Sequence, residues 1–222
     1  MALHAAEEES IEALKTWWEE NYRMLVSVIV AVTVGWGGWT FWQSSSTSAS
    51  NAASDRYEEI LQLALVEPGM EITAENAERI AQLAASLRAD YPRTIYARYS
   101  ALFAAQQAVN LGDLETAEQE LQWLLDNNSG GLFQATDATL TLTANLRLGR
   151  VILARGDAER ALDLVNRVNP GLLEADFAEL RGDIYLFLDR RIDAYDSYLA
   201  AQQAGSTSQF LRMKLDELAG DS

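Results

Sequence analysis

A run of small and apolar residues in the C-terminal half of this 222-residue chain recurs at a displacement of 33 positions. Gly149 in one copy corresponds to Gly182 in the next, and the other matched pairs are Leu148 with Arg181, Ile152 with Tyr185, Gly156 with Asp189, Ala161 with Ala194, Val165 with Tyr198, and Val168 with Ala201. An earlier copy, from Ala101 to Leu124, is displaced by 44. A fixed period of this size indicates one supersecondary unit used several times. The sequence is therefore restricted to folds made of stacked repeats.

The repeated unit is predicted to be a pair of antiparallel helices. Only 3 prolines and 13 glycines interrupt a chain rich in alanine, leucine and glutamate, which favours helix. Gly156 followed by Asp157 is typical of a glycine ending one helix and an aspartate starting the next, and Gly112 with Asp113 repeats this pattern. A period near 34 is that of tetratricopeptide repeats, whose hairpins cover one another's apolar faces. We therefore predict an all-α fold containing a tetratricopeptide-like helical-hairpin solenoid.

The remaining segments fit around these repeats. Residues 56–66 and 73–89 are predicted to be two further helices that form a degenerate fourth unit. Ser129, Gly130 and Gly131 supply a loop for the ten extra residues of the earlier copy. Residues 208–218 are predicted to form an amphipathic helix, with Phe210, Leu211, Leu215 and Leu218 on one side, that covers the last repeat.

The N-terminal part contains a candidate transmembrane helix. Met24 to Trp42 is a run of 19 residues without a charge, which as a helix spans roughly 28 Å and matches the hydrocarbon core of a bilayer. Lys15 and Arg23 precede the run, and no further lysine or arginine follows until Arg56, so the N-terminus is expected in the cytoplasm. The sequence therefore predicts a cytoplasmic stub (1–23), a transmembrane helix (24–42), a flexible tether (43–54) and a tetratricopeptide-like domain (55–222) across the membrane.

A cleaved signal peptide is the alternative interpretation of the same run. The small residues from Ser44 to Ala53 could offer a cleavage site. Against this, the apolar run exceeds the usual 7 to 15 residues, and the segment before it carries six glutamates. An uncleaved anchor is the favoured interpretation.

Catalysis and nucleic-acid binding are excluded by what the sequence lacks. There is no cysteine, and the single histidine, His4, lies in the polar N-terminal segment. Motifs for zinc hydrolysis, phosphate binding and serine hydrolases are absent. The formal net charge of −16 repels phosphate backbones. We predict no enzymatic activity, no cofactor, no metal and no nucleic-acid partner.

Two sets of residues are candidates for protein contacts. Ser27, Ala31 and Gly35 are spaced four apart within the predicted span, so a partner helix can approach that face closely. Polar and aromatic side chains on the first helices of the repeats are expected to be exposed toward a partner, although Tyr99 can equally belong to the core. These candidates are Arg98, Tyr99, Asn145 and Arg181.

The order of these segments resembles a known bacterial family over essentially the whole chain. The residues that carry the resemblance are KTWWEEN (15–21), GWGGWTFW (35–42), NLRLGR (145–150) and LRGD (180–183). They are similar to the YfgM-like ancillary subunits of the SecYEG translocon. The resemblance implies a single-pass type II protein of the bacterial inner membrane with a periplasmic domain. It also implies the SecYEG translocon and a PpiD-type periplasmic chaperone as partners, and no catalytic residues.

Three functions are compatible with these features. The leading one is a membrane-anchored, non-enzymatic binding module that links the translocon to periplasmic chaperones or emerging polypeptides, with membrane lipid contacted through the anchor. The second is an envelope assembly scaffold, anchored or released. The third is a regulator that acts through the cytoplasmic tail before Tyr22.

Overall fold

The structure is a computed structural model that describes residue 36 and residues 49–65, 72–128 and 137–220. The chain divides into two units, Met1–Asn51 and Ala52–Ser222. The helices are residues 49–64 (α1), Ala74–Asp90 (α2), Ile95–Asn110 (α3), Leu114–Asn127 (α4), Ala138–Ala154 (α5), Ala158–Arg167 (α6), Glu174–Phe187 (α7), Arg191–Gln203 (α8) and Gln209–Gly220 (α9), with a short 3-10 turn at Gly171–Leu173. No strand occurs in these described ranges. The all-α prediction is confirmed.

Consecutive helices pair as hairpins, as the repeat predicts. Helices α3 and α4, α5 and α6, and α7 and α8 pack against each other across turns of three residues. Helices α1 and α2 are joined by two ion pairs, Arg56 with Asp90 at 2.6 Å and Arg79 with Glu59 at 2.7 Å. Below, α3, α5 and α7 are called the first helices of their hairpins.

Glycine and aspartate have the predicted roles in the first two short turns. Gly112 and Gly156 adopt positive φ angles of 76° and 88°, which glycine reaches without steric cost. The Asp113 carboxylate then accepts a hydrogen bond from the Thr116 amide, and Asp157 does the same for Arg160. Each aspartate therefore caps the helix that follows it.

The third turn uses Asp189 where the repeat has Gly156. Asp189 has φ 58°, a left-handed conformation that costs free energy in any residue with a Cβ atom. Replacing Asp189 with glycine should therefore stabilise the domain by roughly 0.5 kcal/mol, measured from the urea unfolding midpoint. The reciprocal Gly156→Asp variant is the control, and it should be destabilised. A loss of stability in Asp189→Gly equal to that in Gly156→Asp would contradict the prediction.

The core is built where the repeat places small residues opposite large ones. Ala117, Ala161 and Ala194 are fully buried at equivalent positions. A methyl group added to Gly149 would lie 2.9 Å from the Leu180 side chain, because α5 and α7 approach closely there. Leu146, Leu148, Leu162, Val165 and Tyr198 fill the spaces between helices and are buried.

The C-terminal helix covers the last hairpin, as expected, but one of its residues is placed differently. Leu211, Leu215 and Leu218 are buried, and α9 packs against α8. Phe210, predicted to share this apolar side, is 73% exposed. That part of the prediction is wrong, because the preceding helices cover only the side of α9 that carries the three leucines.

The N-terminal predictions are only partly covered by the structure. Residues 49–54, which the sequence places in the tether, are helical, and Ala53 is fully buried beside Ile60 and Leu83. The rest of the tether, the stub (1–23), the loop residues 129–131 and the span (24–42) apart from Trp36 lie outside the described residues. Among the residues that are described, no helix is both long and apolar enough to cross a membrane.

Candidate protein-binding site

Charged side chains connect the first helices of successive hairpins on an accessible surface. Arg150 of α5 lies 3.7 Å from Asp176 of α7, and both side chains are about half exposed. Lys214 of α9 lies 2.6 Å from Asp183 and 3.3 Å from Glu179, both on α7. Adding Arg147, one helical turn before Arg150, we call this set the polar strip: Arg147, Arg150, Asp176, Glu179, Asp183 and Lys214.

The α7 part of the polar strip is fixed by a buried tyrosine. The Tyr198 hydroxyl donates a 2.7 Å hydrogen bond to Asp183, and the Lys214 ammonium lies 5.3 Å from the centre of the same ring. Burial of the ring, together with the hydrogen bond to Asp183, raises the pKa of Tyr198 well above its usual value. The hydroxyl therefore stays protonated and holds the Asp183 carboxylate in place.

Two of the predicted contact residues tie α3 to the start of α5. The Arg98 guanidinium donates to Asn128 Oδ1 at 3.0 Å, and the Tyr99 hydroxyl donates to Asp137 Oδ2 at 3.4 Å. Asn128 in turn donates to the Thr141 hydroxyl at 2.7 Å. Arg98 is buried, with 8% exposure, so the expectation that it is exposed is wrong. It serves this internal network instead, while Tyr99 is partly exposed.

The other described candidates lie apart on α5 and α7. Asn145 is partly exposed and its side-chain amide donates to the Thr141 carbonyl along the same helix. Arg181 is also partly exposed, but its Nε atom is buried without a hydrogen-bond partner. Within the described part of the chain, no hydrogen bond links Arg98, Tyr99, Asn145 and Arg181 to one another. Ser27, Ala31 and Gly35 lie outside it. Apart from the buried Arg98, these residues remain predicted partner contacts.

Sequence reasoning missed the polar strip, although its signal was visible. Arg147 and Arg150 are three residues apart within the segment NLRLGR, and on a helix this spacing places both side chains on one face. The acidic partners cannot be inferred in the same way. Their pairing with Arg150 and Lys214 depends on how α5, α7 and α9 are stacked.

An aromatic cluster lies on helices α1 and α3. The ring of Tyr57 is 5.7 Å from that of Tyr96 and 6.1 Å from that of Phe103, and all three side chains are partly exposed. Aromatic rings of this kind offer contact area at low conformational cost. The cluster is therefore a candidate for apolar contacts with a partner.

A separate groove of about 460 Å³ is lined by residues of α4 together with Arg155. Its central carboxylate, Glu118, forms ion pairs with Arg155 and Arg160. Burial raises the pKa of Glu118, but the hydrogen bonds from Arg160 and Arg155 outweigh this effect and keep the pKa below its usual value. Glu118 is therefore an ionised structural group rather than a proton donor. Across the described residues, no three histidine or carboxylate side chains converge in a way that could hold a metal ion.

Comparisons with known proteins agree with this architecture. A family model described as a tetratricopeptide repeat-like domain matches residues 15–220. The chain is 30% identical to a Haemophilus influenzae protein named ancillary SecYEG translocon subunit, over 98% of this chain and 100% of the relative. Proteins with the same name from Neisseria gonorrhoeae and Escherichia coli are each 28% identical, over 98% and 99% of this chain and 100% of each relative.

Proposed function

Because this chain belongs to the family of ancillary SecYEG translocon subunits with a tetratricopeptide repeat-like domain, we propose that it is a non-enzymatic accessory subunit of the SecYEG translocon. The observation that carries this proposal is the full-length match, which includes the segment before the repeats as well as the repeats themselves. A similarity confined to the hairpins would indicate only a repeat fold, which is used for many kinds of binding.

The proposed topology follows from the sequence. Residues 24–42 anchor the chain in the inner membrane as a single type II span, with residues 1–23 in the cytoplasm and the hairpins in the periplasm. Anchoring raises the local concentration of the hairpin domain near the translocon, so weak contacts are sufficient for association. Ser27, Ala31 and Gly35 are the proposed close-contact face toward a transmembrane helix of the complex.

The proposed partners of the periplasmic domain are a PpiD-type chaperone and emerging polypeptides. The partly exposed rings of Tyr57, Tyr96 and Phe103 support apolar contacts. The polar strip on α5, α7 and α9 supports charged contacts. Stacked repeats present such groups on one continuous surface, which suits an extended chain or a partner domain.

Co-purification tests this function directly. The full chain, with an affinity tag at its C-terminus, is isolated from membranes in mild detergent and its neighbours are identified by mass spectrometry. We expect translocon components, and we expect their recovery to fall when Ala31 and Gly35 are both replaced by leucine, because the bulky side chains separate the helices. Replacing Val30 and Val34 with leucine is the matched control. Failure to recover any translocon component with the unmodified chain would refute the proposal.

Replacing Arg181 distinguishes an effect on folding stability from an effect on partner binding. Its repeat equivalent, Leu148, is a buried apolar residue. The Nε atom of Arg181 is also buried, but it is polar and has no hydrogen-bond partner. Arg181→Leu should therefore raise the free energy of unfolding by about 1 kcal/mol, because a buried unpaired polar group is removed. Chemical denaturation measures this, and Arg167→Leu on the exposed side of α6 is the control. If Arg181 contacts a partner, the more stable variant will also recover less of that partner. A loss of stability would contradict the prediction.

A further inference from the structure

Arg147 and Arg150 lie on one face of α5, and within the described ranges only Arg150 has a carboxylate partner. Arg150 is 3.7 Å from Asp176, whereas Arg147 forms no hydrogen bond or ion pair with any residue that the structure describes. Arg147 is partly buried, and burial lowers its pKa, with a further lowering from the charge of Arg150. A bound anion would therefore stabilise the positive charge of the Arg147 guanidinium.

The fold does not require a cation at this position. The repeat equivalent of Arg147 in the following hairpin is Leu180, a core residue with 1% exposure. The equivalent in the preceding hairpin is Phe103, which belongs to the aromatic cluster. Compared with an apolar residue at this position, Arg147 buries less apolar surface and is repelled by the charge of Arg150. Such a residue is typical of a functional contact rather than of a structural one.

The charges around Arg147 define what fits there. On the α5 side, the polar strip offers the unpaired Arg147 beside Arg150. On the α7 side it offers the carboxylates of Asp176, Glu179 and Asp183. Lys214 of α9 pairs with Glu179 and Asp183. An anion is attracted over α5 and repelled over α7, so a uniformly acidic ligand does not match. A segment with one acidic residue and, a few positions away, one basic residue matches both sides.

We propose that Arg147, assisted by Arg150, binds the carboxylate of an acidic side chain in an extended polypeptide segment that crosses from α5 to α7. A guanidinium donates two parallel hydrogen bonds to a carboxylate, which fixes the position and orientation of that carboxylate. The basic residue of that segment lies over the carboxylates of α7. This inference rests on the proposed function, because it describes the chemistry of the polypeptide that the accessory subunit contacts.

The test uses the full chain in mild detergent and three fluorescent nine-residue peptides built of serine and alanine. One peptide carries a glutamate and, four residues later, a lysine. The second has glutamine in place of the glutamate, and the third has a second glutamate in place of the lysine. Fluorescence anisotropy at low salt should show about tenfold tighter binding of the first peptide than of the second, as expected for a charge-assisted bidentate contact. The third peptide should bind more weakly than the first, because its second glutamate meets the carboxylates of α7.

Variants identify the residue responsible. Arg147→Gln should reduce binding of the glutamate peptide to the level of the glutamine peptide, while Arg167→Gln should leave it unchanged, because Arg167 pairs with Asp163 on another helix. Arg147→Glu should make the glutamate peptide bind more weakly than the glutamine peptide, so the test does not depend on one variant keeping full stability. Inorganic phosphate at the peptide concentration should not compete. Equal binding of the three peptides, equal losses in both glutamine variants, or full competition by phosphate would overturn the proposal.

The two proposals fail in different ways. If translocon components co-purify but the peptides bind equally, the Arg147 contact is wrong and the accessory role stands. If no translocon component co-purifies, the accessory role is wrong whatever the peptides do.

Discussion

Replacing Gly182 with alanine should destabilise the hairpin domain by about 2 kcal/mol, through overpacking of a rigid contact. The added methyl group would lie within van der Waals overlap of the Tyr198 ring, 3.0 Å from Cζ and closer to two other ring atoms. The ring cannot move aside easily, because it is fully buried and its hydroxyl is bonded to Asp183. This cost exceeds the gain of up to about 1 kcal/mol that alanine normally brings to a helix interior. Urea denaturation of the full chain measures the change.

Gly149→Ala is the matched control for Gly182→Ala. At this equivalent position the nearest atom is the end of the flexible Leu180 side chain, at 2.9 Å, so the two effects should nearly cancel. Combining Gly182→Ala with Tyr198→Leu should cost less than the sum of the single variants, because the leucine leaves room for the methyl group. Equal losses at Gly149 and Gly182, or strict additivity with Tyr198→Leu, would contradict the explanation.

Replacing Arg88 with methionine should destabilise the domain by about 3 kcal/mol at neutral pH, because it leaves a buried carboxylate without a counter-ion. Arg88 of α2 lies 2.8 Å from Glu120 of α4, whose side chain is 7% exposed and whose second oxygen has no hydrogen-bond partner. Arg88 also lies over the ring of Trp123, 5.7 Å from its centre. The pair therefore connects the α1–α2 hairpin to the α3–α4 hairpin at a site where both charged groups are largely shielded from water.

The cost of Arg88→Met should depend on pH in a specific direction. Burial raises the pKa of Glu120, and Arg88 opposes that rise. Because the folded-state pKa lies above the unfolded value, the stability from neutral Glu120 is present at low pH and is lost as the pH rises through the folded-state pKa. Without Arg88 the folded-state pKa rises further. The destabilisation should therefore be small near pH 4, where Glu120 is largely protonated, and large near pH 7.

Two further variants check the interpretation of Arg88→Met. Replacing both partners, as Arg88→Met with Glu120→Leu, should restore stability at neutral pH, because no buried charge remains. Arg79→Met breaks the exposed pair with Glu59 and should cost less than about 1 kcal/mol. A loss in Arg88→Met that does not change with pH would show that the lost packing of the arginine side chain, rather than the stranded charge, is responsible.

The outcome for individual residues shows how far a repeat pattern can be used. Gly149, Gly182 and Ala161 lie at helix contacts, because a periodic small residue marks such a contact in each copy of the repeat. The burial of Arg98 and the exposure of Phe210 were not predicted, because the same periodicity does not tell which side of a helix finds a neighbour. Arg98 is buried by its network with Asn128. Phe210 is exposed because α9 is covered on the side that carries Leu211, Leu215 and Leu218.

The sequence alone determined the helical class, the hairpin period and the turns, because these depend on local spacing and on the conformational preferences of glycine and aspartate. It also carried the segments that relate this chain to its family. Only the tertiary structure decided that, among the described residues, Arg147 has no carboxylate partner while Arg150 has one, and that Glu120 is buried against Arg88. These are contacts between side chains on different helices, and whether they form depends on how the hairpins are stacked, which local spacing does not contain.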